Sequence, residues 1–344
     1  MSDSYTTQEL IAATQQVFKF QPLFLSLFFK ETYTFTTEDV FLDKIPGEVS
    51  MAVYCSPLIT GKVDRTRGFK TTHFKPGYTK PKHTVNPHTV IKRAAGEHIG
   101  QPKTPAERRA EIIMQNLKDE ELSIQQLEEY QAVQAVLKGK YTISGPNIET
   151  TEIDMQRSVA NNIVQSGSTA WSAQNKDTFD PSNDIEEYAE HASGTINVLV
   201  MDGKAWKTLK SFKLFREALD SRRGSNSQLE LAIKNLGDVV SFKGYYGDTA
   251  VIVYKGQYID PDTKVKTKYM PDNTMVLGNL QSKGYRTYGA ILDEDALREG
   301  ITEATRYPKI WTVTGDPSIT QTMTQSAPAM VLGDADAFVV VTLA

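Results

Sequence analysis

The stretch Thr104-Pro105-Ala106-Glu107 opens the longest regular pattern in the chain. Threonine at an N-cap, proline at the first helical position and glutamate at the third make a capping box, with proline where its missing N–H costs nothing. Ala110, Ile113, Leu117, Ile124, Leu127, Tyr130, Val133 and Leu137 then recur mostly three or four residues apart. Gly139 stands where a left-handed C-terminal cap belongs. The pattern predicts a helix of about 35 residues, roughly 50 Å long at 1.5 Å per residue. Helices of compact domains average roughly a dozen residues, so this one reads as a spine along which other elements are laid. Asp119, Glu120, Glu121, Glu128 and Glu129 are read as its polar face.

The rest of the 344 residues divides around that spine. Residues 1–48 form an arm crowded with aromatics, in which Phe20, Phe24 and Phe28 share one helix spacing. Two roles are open to them: packing in the chain's own core, or burial on a neighbouring subunit. Ser50–Ile59 reads as a strand. Prolines and glycines then exclude a long helix, and short β-prone pieces such as Thr89–Lys92 suggest a projecting two-stranded loop, bare without a partner. After the spine, Lys140–Gly145 and Glu149–Gln156 read as strands beside it, and residues 157–182 as polar and irregular. From residue 183 the texture alternates. A helix capped by Ser182 or Asn183, a strand at Thr195–Met201 and a helix at Lys204–Leu219 come first. A capping box at Ser227–Glu230 and strands at Thr249–Tyr254 and Thr274–Asn279 follow. A helix at residues 293–301 and a C-terminal strand complete an α+β chain.

Charge is unevenly spread. The whole chain carries a formal −4. Residues 61–103 hold ten Lys or Arg against Asp64 and Glu97, a net +8, so the remainder sums to −12. Residues 104–190 hold sixteen acids against seven Lys or Arg. Opposite charge in adjacent blocks favours pairing within the chain or between subunits. The single cysteine, Cys55, excludes an internal disulfide and suits a reducing compartment. The first residues lack the basic and apolar regions of a signal peptide, and the apolar run Leu23–Phe29 is too short to span a bilayer. A soluble intracellular protein is the expectation.

No catalytic motif stands up. Walker loops, dinucleotide-binding glycines and nucleophile elbows are missing from the sequence, and Asp334-Ala335-Asp336 lacks the rest of a calcium loop. His73, His83, His88 and His98 are dispersed among lysines rather than set at metal-ligand spacing. No cofactor and no metal are expected. Phe69, Phe74 and Tyr78, interleaved with basic residues, could grip and stack single-stranded nucleic acid, but the acidic chain carries no nucleic-acid motif.

Several stretches, in order, resemble one known family. They include FKFQPLFLSLFFKETYTFTTEDVFLDKIPG, KPGYTKPKHTVNP, RRAEIIMQNLKDEELSIQQLEEYQAVQAVLKGKYTISG, DSRRGSNSQLE, PDNTMVLGN, REGITEATRYPKIW and TQSAPAMVL. The chain is similar from end to end to the head proteins of lambda-like tailed bacteriophages, which have the Hong Kong 97-type fold. The resemblance implies an N-terminal arm at 1–48, an extended loop at 49–103 and a peripheral domain at 104–177, rejoined by 306–344. It assigns an axial domain to 178–305. It further implies a structural role, with hexamers and pentamers forming an icosahedral head around packaged double-stranded DNA without specific binding. Scaffold, portal and a small decoration protein are implied partners. It implies no membrane partner, and a location in the host cytoplasm during assembly and afterwards in the virion capsid. The residues expected at contacts between subunits are Arg65, Arg67, Lys70, Phe74, Lys75, Tyr78, Lys80 and Lys82 of the basic segment, Asp119, Glu120 and Glu121 of the spine, and Phe24 and Phe28 of the arm. The alternatives are an encapsulin-like compartment shell, which shares the fold, a nucleic-acid-binding protein with a basic arm, and an α/β enzyme built on residues 183–305.

Overall fold

The computed structural model describes residues 22–44, 70–92, 103–219, 239–316 and 318–344, with the backbone alone for 41–44 and 70–72. The spine runs from Pro105 to Lys138. Both halves of the predicted capping box form between Thr104 and Glu107, and Gly139 ends the helix at φ 68°. Only glycine takes that left-handed conformation freely. The chain turns there directly into the hairpin Lys140–Gly145 and Ile148–Asp154.

The largest sheet has six strands in the order Asn162–Val164, Val339–Thr342, Thr274–Gly278, Val198–Met201, Thr249–Tyr254, Val240–Tyr246. Its central strands are apolar on both sides because both faces are covered. Alternation sorts their side chains into two cores. Leu199, Met201, Val251, Val253, Met275, Leu277, Val339 and Val341 point to one face, where Trp171, Leu209, Phe212 and Phe215 cover them. Val198, Val200, Ile252, Val276 and Val340 point to the other and meet Phe24, Phe28 and Phe338. The strand Val339–Thr342 thus lies inside this sheet, although the linear division groups it with the peripheral segment 306–344.

Two three-stranded sheets flank the spine. In one, Phe29–Thr34 runs parallel to Gly284–Tyr288, which pairs antiparallel with Pro328–Leu332. In the other, Lys82–Val85, Ile319–Gln325 and Tyr307–Val313 form an antiparallel set. Each brings in a segment far away in sequence, Lys82–Val85 being added to the local hairpin of Tyr307–Val313 and Ile319–Gln325, so long-range pairing closes the fold.

Several local expectations change. Thr89–Lys92 is not β: Asn86 caps a short helix, Pro87–Ile91, with Pro87 at its start. The helix after residue 180 is capped by Asp180, not Ser182 or Asn183, with Pro181 in the first turn. The helix expected across Lys204–Leu219 breaks at Phe212, giving Gly203–Ser211 and Lys213–Ala218. Phe212 takes an extended backbone and is wholly buried against Trp171 and Phe179. Burying that ring outweighs the local cost of a broken helix. The segment 70–92 is not bare either: Lys70–Phe74 pairs with Val40–Lys44, and Lys82–Val85 completes the second three-stranded sheet. Ser50–Ile59 and the Ser227–Glu230 capping box lie outside the described residues. Among the described residues no helix is long and apolar enough to cross a membrane.

Gly284 is where the arm comes closest to the body. A Cβ there would sit 2.4 Å from the Phe28 carbonyl oxygen, with backbone rather than a flexible side chain in its way. Gly284→Ala is expected to destabilise the subunit by about 2 kcal/mol. At Gly145 an added Cβ meets only Ile148 Cδ1, at 3.6 Å. Denaturant midpoints of the two alanine variants check this, with Gly145→Ala close to wild type.

Candidate functional site

The spine carries its chemistry on the inward side. Ile113, Leu117, Ile124, Ala132 and Ala135 are buried, and so are Glu120, Glu121, Glu128 and Glu129. The series 113, 117, 120, 124, 128, 131, 135 steps by three or four throughout, so the acids complete the buried stripe. Leu127, counted above as apolar-face, is 37% exposed instead. The interval between Leu117 and Ile124 was the readable signal: one full turn of the stripe lacks an apolar residue, and Glu120 and Glu121 fill it.

The buried acids are held by three different parts of the chain. Glu120 accepts hydrogen bonds from the Thr322 and Thr324 hydroxyls at 2.7 and 2.8 Å, and lies 3.2 Å from His83 Nδ1 of the basic segment. Burial raises its pKa against those hydrogen bonds. Glu121 and Glu128 share Arg306, at 2.9 and 2.7 Å. Burial opposes the charge of Arg306, but the two carboxylates outweigh it and raise its pKa. Arg306 also donates to the Thr305 carbonyl and the Ser326 hydroxyl. Removing one partner from such a group leaves a buried charge uncompensated, which is more costly than the pair is favourable.

Glu129 holds the arm. The arm helix Leu23–Phe28 is too short to be stable alone, and Pro22 at its N-cap has no side-chain acceptor. Glu129 reaches across from the spine and accepts from Phe24 N–H at 3.0 Å and Leu25 N–H at 3.1 Å. It therefore does what an N-cap residue does, from 104 residues away or more. Tyr254 donates to the same carboxylate at 3.0 Å. At the other end Arg286 donates to the carbonyls of Leu25 and Phe29, at 2.9 and 2.8 Å. Both ends of the arm helix are thus satisfied by charged side chains of the body. Burial pushes the Glu129 carboxyl up to about 7, against the pull of these hydrogen bonds and the Arg286 charge.

The residues expected at contacts between subunits fare differently. Phe24 and Phe28 lie wholly inside the chain's own core, Phe28 edge-on to Phe338 at 4.9 Å, so their aromatic surface is spent within the subunit. Glu120 and Glu121 are likewise committed internally, because they complete the inward stripe, whereas Asp119 is exposed and accepts from Gln115. Phe74 is buried, Lys75 pairs with Glu38, and Tyr78 donates to Gln325 at 2.8 Å while accepting from Leu292 N–H. Lys80 and Lys82 are exposed, their ammonium groups 4.9 and 5.3 Å from the Tyr78 and Trp311 ring centres. Lys70 lies opposite Lys44 in a strand pair. Arg65 and Arg67 lie outside the described residues. The sequence reading missed Arg286, inside the strand Gly284–Tyr288, and Arg306, just before the strand Tyr307–Val313, isolated arginines with no pattern around them. Among the described residues no group of histidines, cysteines and acids could hold a metal ion.

The phage major capsid protein E family matches residues 6–343. The chain is 57% identical over 340 residues to the major capsid protein of Escherichia phage N15, covering 99% of each. It is 57% identical to the major capsid protein of Escherichia phage lambda over the same share of both chains. The crystal structure of a prophage capsid protein from E. coli CFT073 superposes with a TM-score of 0.84 at 42% identity, covering 99% of each chain.

The buried carboxylate of Glu129 leaves a pH signature. Its folded pKa of about 7 lies above the unfolded value, so the folded state holds the proton more tightly. Its contribution to stability is full below about pH 4.3 and is lost as pH rises through about 7. The stability of wild type minus that of Glu129→Gln should therefore fall between pH 5 and 7.5, by on the order of 3 kcal/mol. Denaturant unfolding of both proteins across that range measures it, and a flat difference would contradict the assignment.

Proposed function

The chain belongs to the phage major capsid protein E family, and we propose that it assembles as hexamers and pentamers into an icosahedral head around double-stranded DNA. It is a structural major capsid protein with the Hong Kong 97-type fold. The observation that carries the reading is similarity from end to end to lambda-type major capsid proteins, with no large insertion or missing domain. One fold must serve every position of a shell, and the chain is suited to that. Its core elements are tied to the spine, while the basic segment 61–103 carries a net +8 in a chain otherwise negative.

That segment makes the contact with the neighbouring subunit. Lys80 and Lys82 present exposed ammonium groups on a strand already docked to its own subunit. One exposed ion pair contributes only about 0–1 kcal/mol. Contacts repeated around a capsomer sum through multivalency, and individually weak ones let a growing shell correct errors. An acidic chain lining the head keeps packaged DNA from sticking to the wall. A scaffold protein and a portal act during assembly in the host cytoplasm, and a small decoration protein binds the finished head of the virion.

Negative-stain microscopy and sedimentation of the purified protein, with and without a co-expressed scaffold, test the reading. Shells, sheets, tubes or free capsomers are expected. A monodisperse monomer under every condition would overturn it. Reversal of charge in Lys80→Glu and Lys82→Glu should lower the yield or stability of assembled particles while the isolated subunit still folds. Unchanged particles in both variants would remove the basic segment from the contact.

A further inference from the structure

The strand Thr249–Tyr254 of the six-stranded sheet has an unfilled feature at each of its ends, and the two are unlike. At its start, helix Pro181–Ala189 and the turn that joins Val240–Tyr246 to Thr249–Tyr254 enclose an open groove of about 410 Å³. Ile185, Ile196 and Leu199 make its apolar floor. Glu186, Glu190 and Asp248 stand exposed on its rim and make no ion pair among the described residues. No lysine or arginine lines it.

Past the other end of the strand the chain enters the antiparallel hairpin Gln257–Ile259 and Lys266–Lys268. Tyr258 turns one face of that hairpin inward, its ring 5.4 Å from Tyr130 of the spine and 4.9 Å from Tyr269. Ile259 lies opposite Lys266, and strand alternation puts both on the other face. Among the described residues nothing covers that face: Ile259 is 56% exposed, and Val265 at the tip 59%. Lys264 and Lys266 are exposed beside them and make no ion pair among the described residues. Lys268, by contrast, is engaged by Asp272. Asp260 is committed to the turn, accepting from the N–H groups of Asp262 and Thr263 and from the Thr263 hydroxyl. Asp262 is the only other acid of the hairpin. An isolated two-stranded hairpin is marginally stable, and this one presents apolar side chains between cations, with one face still to be covered.

The groove and the hairpin tip complement each other in charge and in apolar character. Within one chain they are held apart by the length of the strand between them, roughly 20 Å. Only a second copy can bring them together. Because the two surfaces differ and lie at opposite ends, the contact is head-to-tail, the kind that closes into a ring when its rotation permits.

We infer that the groove between helix Pro181–Ala189 and the Gly247–Asp248 turn receives the tip of the hairpin Gln257–Lys268 of a second copy of this chain. Lys264 and Lys266 meet the carboxylates of Glu186, Glu190 and Asp248, while Ile259 and Val265 cover the apolar floor. The inference rests on the shell reading above and adds a contact between subunits made by the body of the fold. Charge pairs around an apolar centre give such a contact its register.

The test uses the full chain in assembled particles. Lys264→Glu with Lys266→Glu should lower particle yield at least about tenfold, as should Glu186→Lys, Glu190→Lys and Asp248→Lys together. Combining both sets should restore most of the yield. A second measurement does not depend on those variants folding. In a Cys55→Ser background, Val265→Cys and Glu190→Cys are joined by a short bifunctional thiol reagent. A ladder of covalent multimers from particles, and only monomer from unassembled subunits, is expected. Particles that give no ladder, or a cross-link confined within one chain, would overturn the docking while leaving the shell reading intact. A wild-type protein that never assembles would instead remove both.

Discussion

The buried carboxylate of Glu129, accepting two backbone N–H groups of the arm helix, is the contact on which the rest of the fold depends. A six-residue helix has no independent stability. Held at one end by Glu129 and at the other by Arg286, it delivers Phe24, Phe28 and Phe29 to the inner face of the six-stranded sheet. The strand that follows, Phe29–Thr34, then has a fixed starting point for its pairing with Gly284–Tyr288. Without the clamp the sheet would lose the aromatic cover of one face and the flanking sheet would lose an edge strand.

The same device recurs along the spine. Glu120 ties down the strand Ile319–Gln325 and His83 of the basic segment, and Glu121 with Glu128 holds Arg306 at the start of the strand Tyr307–Val313. One helix therefore gathers the helix Leu23–Phe28, the strand Lys82–Val85 and the chain from Arg306 to Gln325. Ionic and hydrogen-bonded contacts of this sort specify geometry more than they add net stability, since burying the charges costs much of what the pairing returns. For a shell subunit that is a useful bias. Projecting segments must leave the body from defined points, and the body must keep one shape whatever its neighbours do.

Much of the fold was legible because local rules and the tertiary structure agree. The capping box at Thr104, the left-handed cap at Gly139 and the apolar strands around Leu199, Ile252 and Val276 all stand as the sequence reads. Agreement failed where a long-range contact overrode a local preference. Phe212 breaks its helix to fill a pocket beside Trp171, and Asn86 turns a β-prone stretch into a capped helical turn. The spine acids were misjudged for a related reason: an amphipathic pattern treats carboxylates as solvent-facing, and only partners distant in sequence make a buried one tolerable.

The amino-acid sequence by itself determined the spine, four of the six strands of the largest sheet, the uneven charge and, through end-to-end resemblance, the capsid family. These depend on periodicity, caps and composition, which are local or additive properties. The tertiary structure alone decided which face of the spine is interior, that Glu129 and Arg286 cap a helix belonging to another segment, and that Phe24 and Phe28 are spent inside the subunit. Those outcomes hang on pairs of residues from 104 to more than 250 positions apart. No pattern within one segment encodes such a pair, because each side chain's cost of burial is offset only by the partner that folding brings to it.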